Sequence, residues 1–379
     1  MGKYGFDDED IEEYNYNKRS RNGNKSTKDK KQAKKKKKSG VKTFFKVLGI
    51  ILLIIFLIAL GVGIGGYTYI RNSLGEMQHV DIDESSIEVN EGVKEVMKGY
   101  RTIALFGVDS REDQLEKGTR SDCIMLAVID QNSKKVKLVS VYRDTYLLIS
   151  GRKLDKVTHA YAFGGPQLSL STLNTNLDLN IKEFATVNFD SLVDIVDAIG
   201  GVKIKIESSE VKYINDYITA TAEIVGKPAK TISSAGTYTL DGVQAVAYSR
   251  IRYTAGGDYK RTERMRTVLM AIADKAKTLG VSELNRLAKT VLPKVYTNIN
   301  ADEIISLLPQ LATYSFDESM GWPYETKGDT ISGVWYGVPV TLEQNVEKLH
   351  KEVFGQSDYK VSDKVKEISN SIVKKTGYK

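Results

Sequence analysis

The stretch IALFGVDSREDQLEKGTRSDCIMLAVIDQNSKKVKLVSVYRD, residues 103–144, holds three short apolar runs separated by polar segments. Ile103 to Val108 ends at Asp109 and is too short for a buried helix, so it reads as a strand entering a loop. Cys123 to Ile129 and Val136 to Val141 read as two more strands. The polar tetrad Asp130-Gln131-Asn132-Ser133 between them predicts a hairpin. Downstream the period changes: Leu168 to Leu177 and Asp190 to Ile199 have helical spacing, Gly200-Gly201 ends the second, and Val202 to Ile206 reads as a further strand. Strands interleaved with helices predict an α/β fold, a three-layer α/β/α arrangement around a mixed central sheet.

Residues 207–238 are polar and rich in Thr and Ser and read as an excursion with short strands. Asp241 is expected to cap a helix through Tyr248, and Asp258 a longer one through about Thr278. Residues 281–311 look helical, the pattern weakens around Gly321-Trp322-Pro323 and Gly333-Val334-Trp335-Tyr336, and a last helix is expected from Leu342 to Val353. Residues 356–379 read as a polar tail.

The chain has 379 residues and a formal charge of +7, which raises a nucleic-acid reading. The charge is not evenly spread. Residues 1–46 carry 15 Lys/Arg against 7 Asp/Glu, which leaves 40 basic and 41 acidic residues in the remainder. The main body therefore lacks the basic footprint of a nucleic-acid binder. Cys123 is alone, and His79, His159 and His350 are scattered, so an internal disulfide, a CxxC redox site and a thiolate zinc site are excluded.

Residues 1–46 run from an acidic block, Asp7 to Glu13, to a lysine run at Lys34 to Lys38, and are expected to be a solvated cytoplasmic tail. The 24 residues from Val47 to Ile70 carry no charge. At the helical rise they reach about 36 Å, enough to cross a bilayer as an uncleaved transmembrane anchor. A cleaved signal peptide would have a shorter apolar region and a small-residue site after it. Fourteen Lys/Arg lie between Lys18 and Lys46 and only Arg71 follows the span directly, which places residues 71–379 outside the cell. The lysines suit the anionic lipid of the bilayer. Gly61, Gly63 and Gly66 match a dinucleotide fingerprint, but inside an apolar span they lack the strand and helix that give it meaning. Gly61 and Gly65 form a GxxxG that would support a weak homodimer through the membrane helix, although small residues are common in such spans. Residues 71–98 are acid-rich and read as an extracellular spacer.

Acids and arginines gather at the ends of the predicted elements. Asp109 closes the first strand and Asp122 opens the second, so both can face one crevice. Two carboxylates with open coordination suit Mg²⁺, with Mn²⁺ as the alternative, although Asp at strand ends also makes turns and caps. Arg143 and Asp144 follow the third strand; such a neighbouring pair is usually a surface contact of little energy. Arg250 and Arg252 precede Gly256-Gly257-Asp258, and Arg261 and Arg264 lie at i, i+3 on one helix face. Like charges this dense need an anion or acids to offset them, and guanidinium forks beside a helix start suit a polyphosphate or pyrophosphate.

LFGVDSR (105–111), RSDCIML (120–126), VSVYRDTYL (139–147), DKVTHAYAFGGP (155–166), VNFDSLVDIVDAIGGV (187–202), LDGVQAVAYSRIR (240–252) and GDYKRTERM (257–265) together resemble the successive motifs of the LytR-CpsA-Psr family. The resemblance covers roughly residues 99–280, the expected catalytic domain, and leaves 281–355 as a C-terminal extension. It implies a membrane-anchored phosphotransferase that moves an anionic glycopolymer, such as wall teichoic acid or a capsule-like polysaccharide, from a polyprenyl-pyrophosphate carrier to peptidoglycan in a Gram-positive type of cell wall. Asp109 and Asp122 would then hold Mg²⁺, and Arg120, Arg143, Arg250, Arg252 and Arg261 would clamp the pyrophosphate, with Arg264 beside them. Asp258 would accept the proton of the attacking hydroxyl. The apolar faces of Leu168 to Leu177 and Val187 to Ile199 are candidates for sheltering the carrier.

The chain departs from the family pattern at Cys123, where Thr is common, at Met265, where Gln is frequent, and at Tyr142, where Pro is frequent. His159 in DKVTHAY reads as a hydrogen-bonded structural residue. Competing readings are a transcriptional regulator, opposed by the topology and the charge balance; a wall-polymer binding module without turnover; and a hydrolase in which water replaces the sugar hydroxyl.

Overall fold

The computed structural model describes residues 78–110, 115–300, 302–304 and 313–379. The expected tail 1–46, the span 47–70 and its GxxxG lie outside the described residues, among which no helix is long and apolar enough to cross a membrane.

The strands in chain order are β1 (Gln78–His79), β2 (Tyr100–Val108), β3 (Ser121–Asp130), β4 (Lys135–Val141), β5 (Tyr146–Leu148), β6 (Leu154–Lys156) and β7 (Glu183–Val187). They continue with β8 (Val202–Ile206), β9 (Gly236–Leu240), β10 (Tyr296–Thr297), β11 (Ser315–Trp322), β12 (Thr326–Ile331) and β13 (Val334–Pro339). The helices are α1 (Val93–Val96), α2 (Thr158–Leu177), α3 (Phe189–Ala198), α4 (Ser208–Val225) and α5 (Gly242–Arg250). After them come α6 (Gly257–Lys277), α7 (Val281–Val291), α8 (Leu342–Phe354) and α9 (Asp363–Thr376).

The central sheet is mixed and runs β1-β10-β7-β2-β3-β4-β11. The expected hairpin is β3–β4, antiparallel with Ile129 opposite Val136, while β2 pairs parallel with β7 and β4 with β11. A strand covered on both faces reads as a continuous apolar run, as β2 does. Its two faces are nevertheless unequal. Ala104, Phe106 and Val108 are fully buried in a cluster with Leu170, Leu173 and Leu177 of α2 and with residues of α8 and α9. Leu105 and Gly107, together with Cys123 of β3 and Ala185 and Val187 of β7, point to the other face and are only partly buried. A second cluster, on α3, α4, α5, α6 and the small sheet β8–β9, makes up a separate layer.

Asp241 caps α5 as expected: its Oδ1 accepts from Gln244 N–H (3.0 Å) and Gln244 Oε1 accepts from Asp241 N–H (3.1 Å), a reciprocal capping box. Several expectations are corrected. Residues 208–225 are helix, capped by a Glu207–Glu210 box, with Ile214, Ile218 and Ala222 buried, and only β9 is extended in that segment. β8 pairs with β9 in a two-stranded sheet of its own. Asp258 does not cap α6: Gly256 does, at φ 95°, and Asp258 sits in the first turn with its side chain free to meet Arg261. The leading helix starts at Thr158 and kinks at Gly164 and Gly165, ahead of Pro166. The described part of the expected spacer packs on the core through Ile87, Val93 and Met97, and the expected polar tail folds into α9, which buries Val365, Ile368 and Ile372.

Candidate functional site

Three sheet strands bring their functional ends together. Asp109 follows β2, Asp122 is the second residue of β3, which runs antiparallel to β2, and Arg143 lies two residues beyond β4. The β2–β3 register shifts between Gly107 and Val108, which places the Asp109 turn beside Asp122 at the rim of the sheet. Arg250 ends α5, Arg252 lies in the following loop, and Arg261 rises from the start of α6. One pocket of about 260 Å³ is lined by Asp109, Asp122, Arg250, Arg252 and Arg261, with Phe189, Tyr217, Tyr253 and Met265.

Asp122 is the hub. It pairs with Arg143 Nη1, with Arg252 Nη2 at 3.6 Å and with Arg261 Nη1 at 3.8 Å. Arg261 is only 2% exposed, and its Nη2 stands 2.7 Å from Asp258 Oδ1. Even so, Arg261 Nε and Arg143 Nε are buried without hydrogen-bond partners among the described residues. Buried N–H donors are nearly always satisfied, so an unmade donor of Arg261 in the pocket, with that of Arg143, which pairs with Asp122 but does not line the pocket, calls for an acceptor. Arg250 stacks over Phe189 (4.8 Å) and donates from Nη1 to Thr221 Oγ1 (2.9 Å). Burial raises the Asp258 carboxyl above its ordinary value and repulsion from Asp144 adds to this, while Arg252 and Arg143 pull it back.

Two expected phosphate ligands stand apart. Arg264, 2% exposed, spends its guanidinium on Glu210 Oε1 (2.7 Å), the Ile251 carbonyl (3.0 Å) and Thr254 Oγ1 (2.7 Å). Arg120 is exposed just before β3 and does not line the pocket. His159 lies 3.0 Å from Asp155 Oδ1 and is also outside it. Burial pushes the Cys123 thiol up to about 12, which makes it a poor nucleophile.

Behind the pocket lies an apolar cavity of about 220 Å³ between the less-buried sheet face and α3 and α6, lined by Leu105, Met125, Val187, Leu192, Leu269 and Ile272 among others. Of the two apolar faces expected to shelter the carrier, that of Val187 to Ile199 lines this cavity, whereas Leu170, Leu173 and Leu177 pack into the opposite core. Asp122, Phe189 and Met265 line both cavity and pocket. Met265 thus stands at the junction of apolar and charged space, where its flexible thioether fills the apolar side and leaves the charged side without the polar contact an amide would make. Cys123 faces the same cavity, and a Cβ at Gly107 would come within 2.9 Å of its Cβ, so glycine there keeps the wall thin.

A charged pocket and an apolar cavity that share Asp122, Phe189 and Met265 are the two surroundings an amphiphile with an anionic head requires. The chain belongs to the LytR-CpsA-Psr family, whose model, described as LytR_cpsA_psr family, matches residues 66–353. It is 32% identical over 268 residues to the polyisoprenyl-teichoic acid–peptidoglycan teichoic acid transferase TagU of Enterococcus faecalis, covering 70% of this chain and 82% of the relative. With TagT of Bacillus subtilis, a transferase of the same description, it shares 31% identity over 285 residues, 73% of this chain and 85% of the relative. Among solved structures it resembles TagT bound to LIIa-WTA (TM-score 0.54, 26% identity, 79% of this chain and 100% of the other). It also resembles TagT with bound octaprenyl pyrophosphate lipid (TM-score 0.50, 25% identity, 79% and 100%).

Proposed function

We propose that this chain is a membrane-anchored phosphotransferase that moves an anionic glycopolymer from a polyprenyl-pyrophosphate carrier to a peptidoglycan hydroxyl outside the cell. The observation that carries the reading is that the apolar cavity and the pocket of Arg250, Arg252 and Arg261 adjoin, with Asp122, Phe189 and Met265 lining both. The prenyl chain occupies the cavity and the pyrophosphate meets the buried donors of Arg261 and Arg143.

The residues present fit a divalent cation of the Mg²⁺ type. Asp109 and Asp122 line the same pocket, and among the described residues no group of three or more His, Cys, Asp and Glu converges. Two carboxylates leave coordination for water and phosphate oxygens, as Mg²⁺ prefers, and Mn²⁺ would accept the same set. When bound, such a cation supplies charge neutralisation for the pyrophosphate and its leaving oxygen.

Transfer then needs positioning and charge stabilisation and no protein nucleophile. The sugar hydroxyl attacks the phosphorus nearer the polymer and a new O–P bond forms. The P–O bond to the lipid phosphate breaks, and polyprenyl phosphate leaves with the bonding electrons. Arg143, Arg252 and Arg261 stabilise the charge on the phosphoryl and leaving oxygens. Asp258 takes the hydroxyl proton. A base works deprotonated, so its raised pKa places the loss of activity at a pH above the ordinary carboxylate range as pH falls. Asp258→Asn is expected to remove this acidic limb and to lower transfer by about 10²–10⁴-fold. Transfer rates measured from pH 4 to 8 check this, and full transfer by the Asn variant would eliminate the role. The reading as a whole is tested by following polyprenyl phosphate release together with glycan coupled to peptidoglycan.

A further inference from the structure

Beside Asp258 lies a shallow dent of about 20 Å³, room for a single water, whose exposed aromatic rim the pyrophosphate reading leaves unused. It is lined by Asp144 and Asp258, by Tyr142 and Tyr259, and by Thr326 and Trp335 of the β12–β13 hairpin. Trp335 is 46% exposed and Tyr259 41%, both high for large aromatic side chains that have a core within reach. They are held in place. The hairpin is tied to the Arg143–Thr145 turn by a hydrogen bond from Gly337 N–H to the Asp144 carbonyl (3.0 Å) and by a parallel bridge between Thr145 and Gly337. Tyr259 Oη lies 3.2 Å from Thr326 Oγ1 and its ring meets Tyr142 edge-on at 4.5 Å. The Trp335 ring packs on Gly328, where a Cβ would come within 3.1 Å of its Nε1. Two exposed aromatic side chains beside Asp258 and Asp144, which Arg261 and Lys156 hold in ion pairs, offer a pyranose a ring for its C–H face and carboxylate oxygens for its hydroxyl rim.

Resting on the transferase reading, we infer that the Trp335–Tyr259 shelf binds the sugar ring of the peptidoglycan acceptor and presents its hydroxyl to Asp258. In-line displacement requires that hydroxyl on the side of phosphorus away from the leaving lipid phosphate. The shelf shares no lining residue with the apolar cavity and adjoins the charged pocket through the Asp258–Arg261 pair. A donor sugar is the other source of the same chemistry, and the experiment separates the two.

The chain has two tryptophans. Trp322 is fully buried and donates from Nε1 to the Asn345 carbonyl (3.1 Å), so Trp335 is the solvent-sensitive fluorophore. Full-length protein in detergent is titrated with muramidase-released peptidoglycan disaccharides, and separately with the lipid-linked donor. The inference expects disaccharide to quench or blue-shift the emission, and Trp335→Phe to abolish that signal while keeping affinity by calorimetry. It expects Trp335→Ala to weaken the disaccharide by about tenfold, seen also as a raised acceptor KM, with the donor KM moved far less. An emission change with donor alone, or an acceptor KM unchanged in Trp335→Ala, overturns it. The titration needs no turnover, so a disaccharide response without coupled product would sink the transferase reading and leave the saccharide shelf standing.

Discussion

Arg261→Ala is expected to lower transfer by about two to three orders of magnitude, the loss found when one preorganised donor is removed from a developing oxyanion. Arg261 is almost completely buried, bridges Asp122 and Asp258, and keeps an Nε–H that makes no hydrogen bond. A cation kept dry and incompletely paired costs stability, and a doubly charged ligand offsets that cost. Arg261→Lys is expected to recover little, because an ammonium cannot reproduce the planar fork. Steady-state kcat/KM checks this, with a melting curve for each variant to confirm folding. Activity within a few-fold of wild type would place the pyrophosphate elsewhere.

Glu210→Ala is expected to have the largest effect on stability. Glu210 and Arg264 form an ion pair in which both side chains are almost fully buried, and Glu210 also accepts from the Glu207 N–H at the start of α4. Removing the carboxylate leaves Arg264 charged in a dry interior, at a cost of about 3–5 kcal/mol, or roughly 6–10 °C in Tm. Thermal unfolding measures it directly. A Tm unchanged within 2 °C would show that Arg264 is hydrated or bound to a ligand instead.

The same pair shows where sequence reading reaches its limit. Arg264 lies one turn from Arg261 and reads as a phosphate ligand by spacing, but its partner comes from a helix 54 residues earlier. That helix was expected to be extended because Thr and Ser weigh on its composition, although Ile214, Ile218 and Ala222 already keep a four-residue spacing. The tail behaves likewise: Val365, Ile368 and Ile372 mark one face of α9 within a polar stretch. By contrast, β2, β3 and β4 were legible because continuous apolar runs bounded by turn residues have few other solutions. Asp109, Asp122, Arg250, Arg252 and Arg261 were legible as a motif, and they line one pocket. The cavity was not. Leu105, Val187 and Leu192 are apolar whether a neighbouring side chain or a prenyl chain fills the space beside them, and only packing separates the two.

The central claim is coupled transfer, and the most direct test is full-length protein with a polyprenyl-pyrophosphate glycan and peptidoglycan fragments, with Mg²⁺ or with chelator, beside Asp122→Ala. The expected result is glycan joined to peptidoglycan through a phosphodiester, with one polyprenyl phosphate released per bond, lost on chelation and in the variant. Polyprenyl phosphate released at the same rate without coupled glycan, or tight carrier binding with no turnover under any condition, would contradict it.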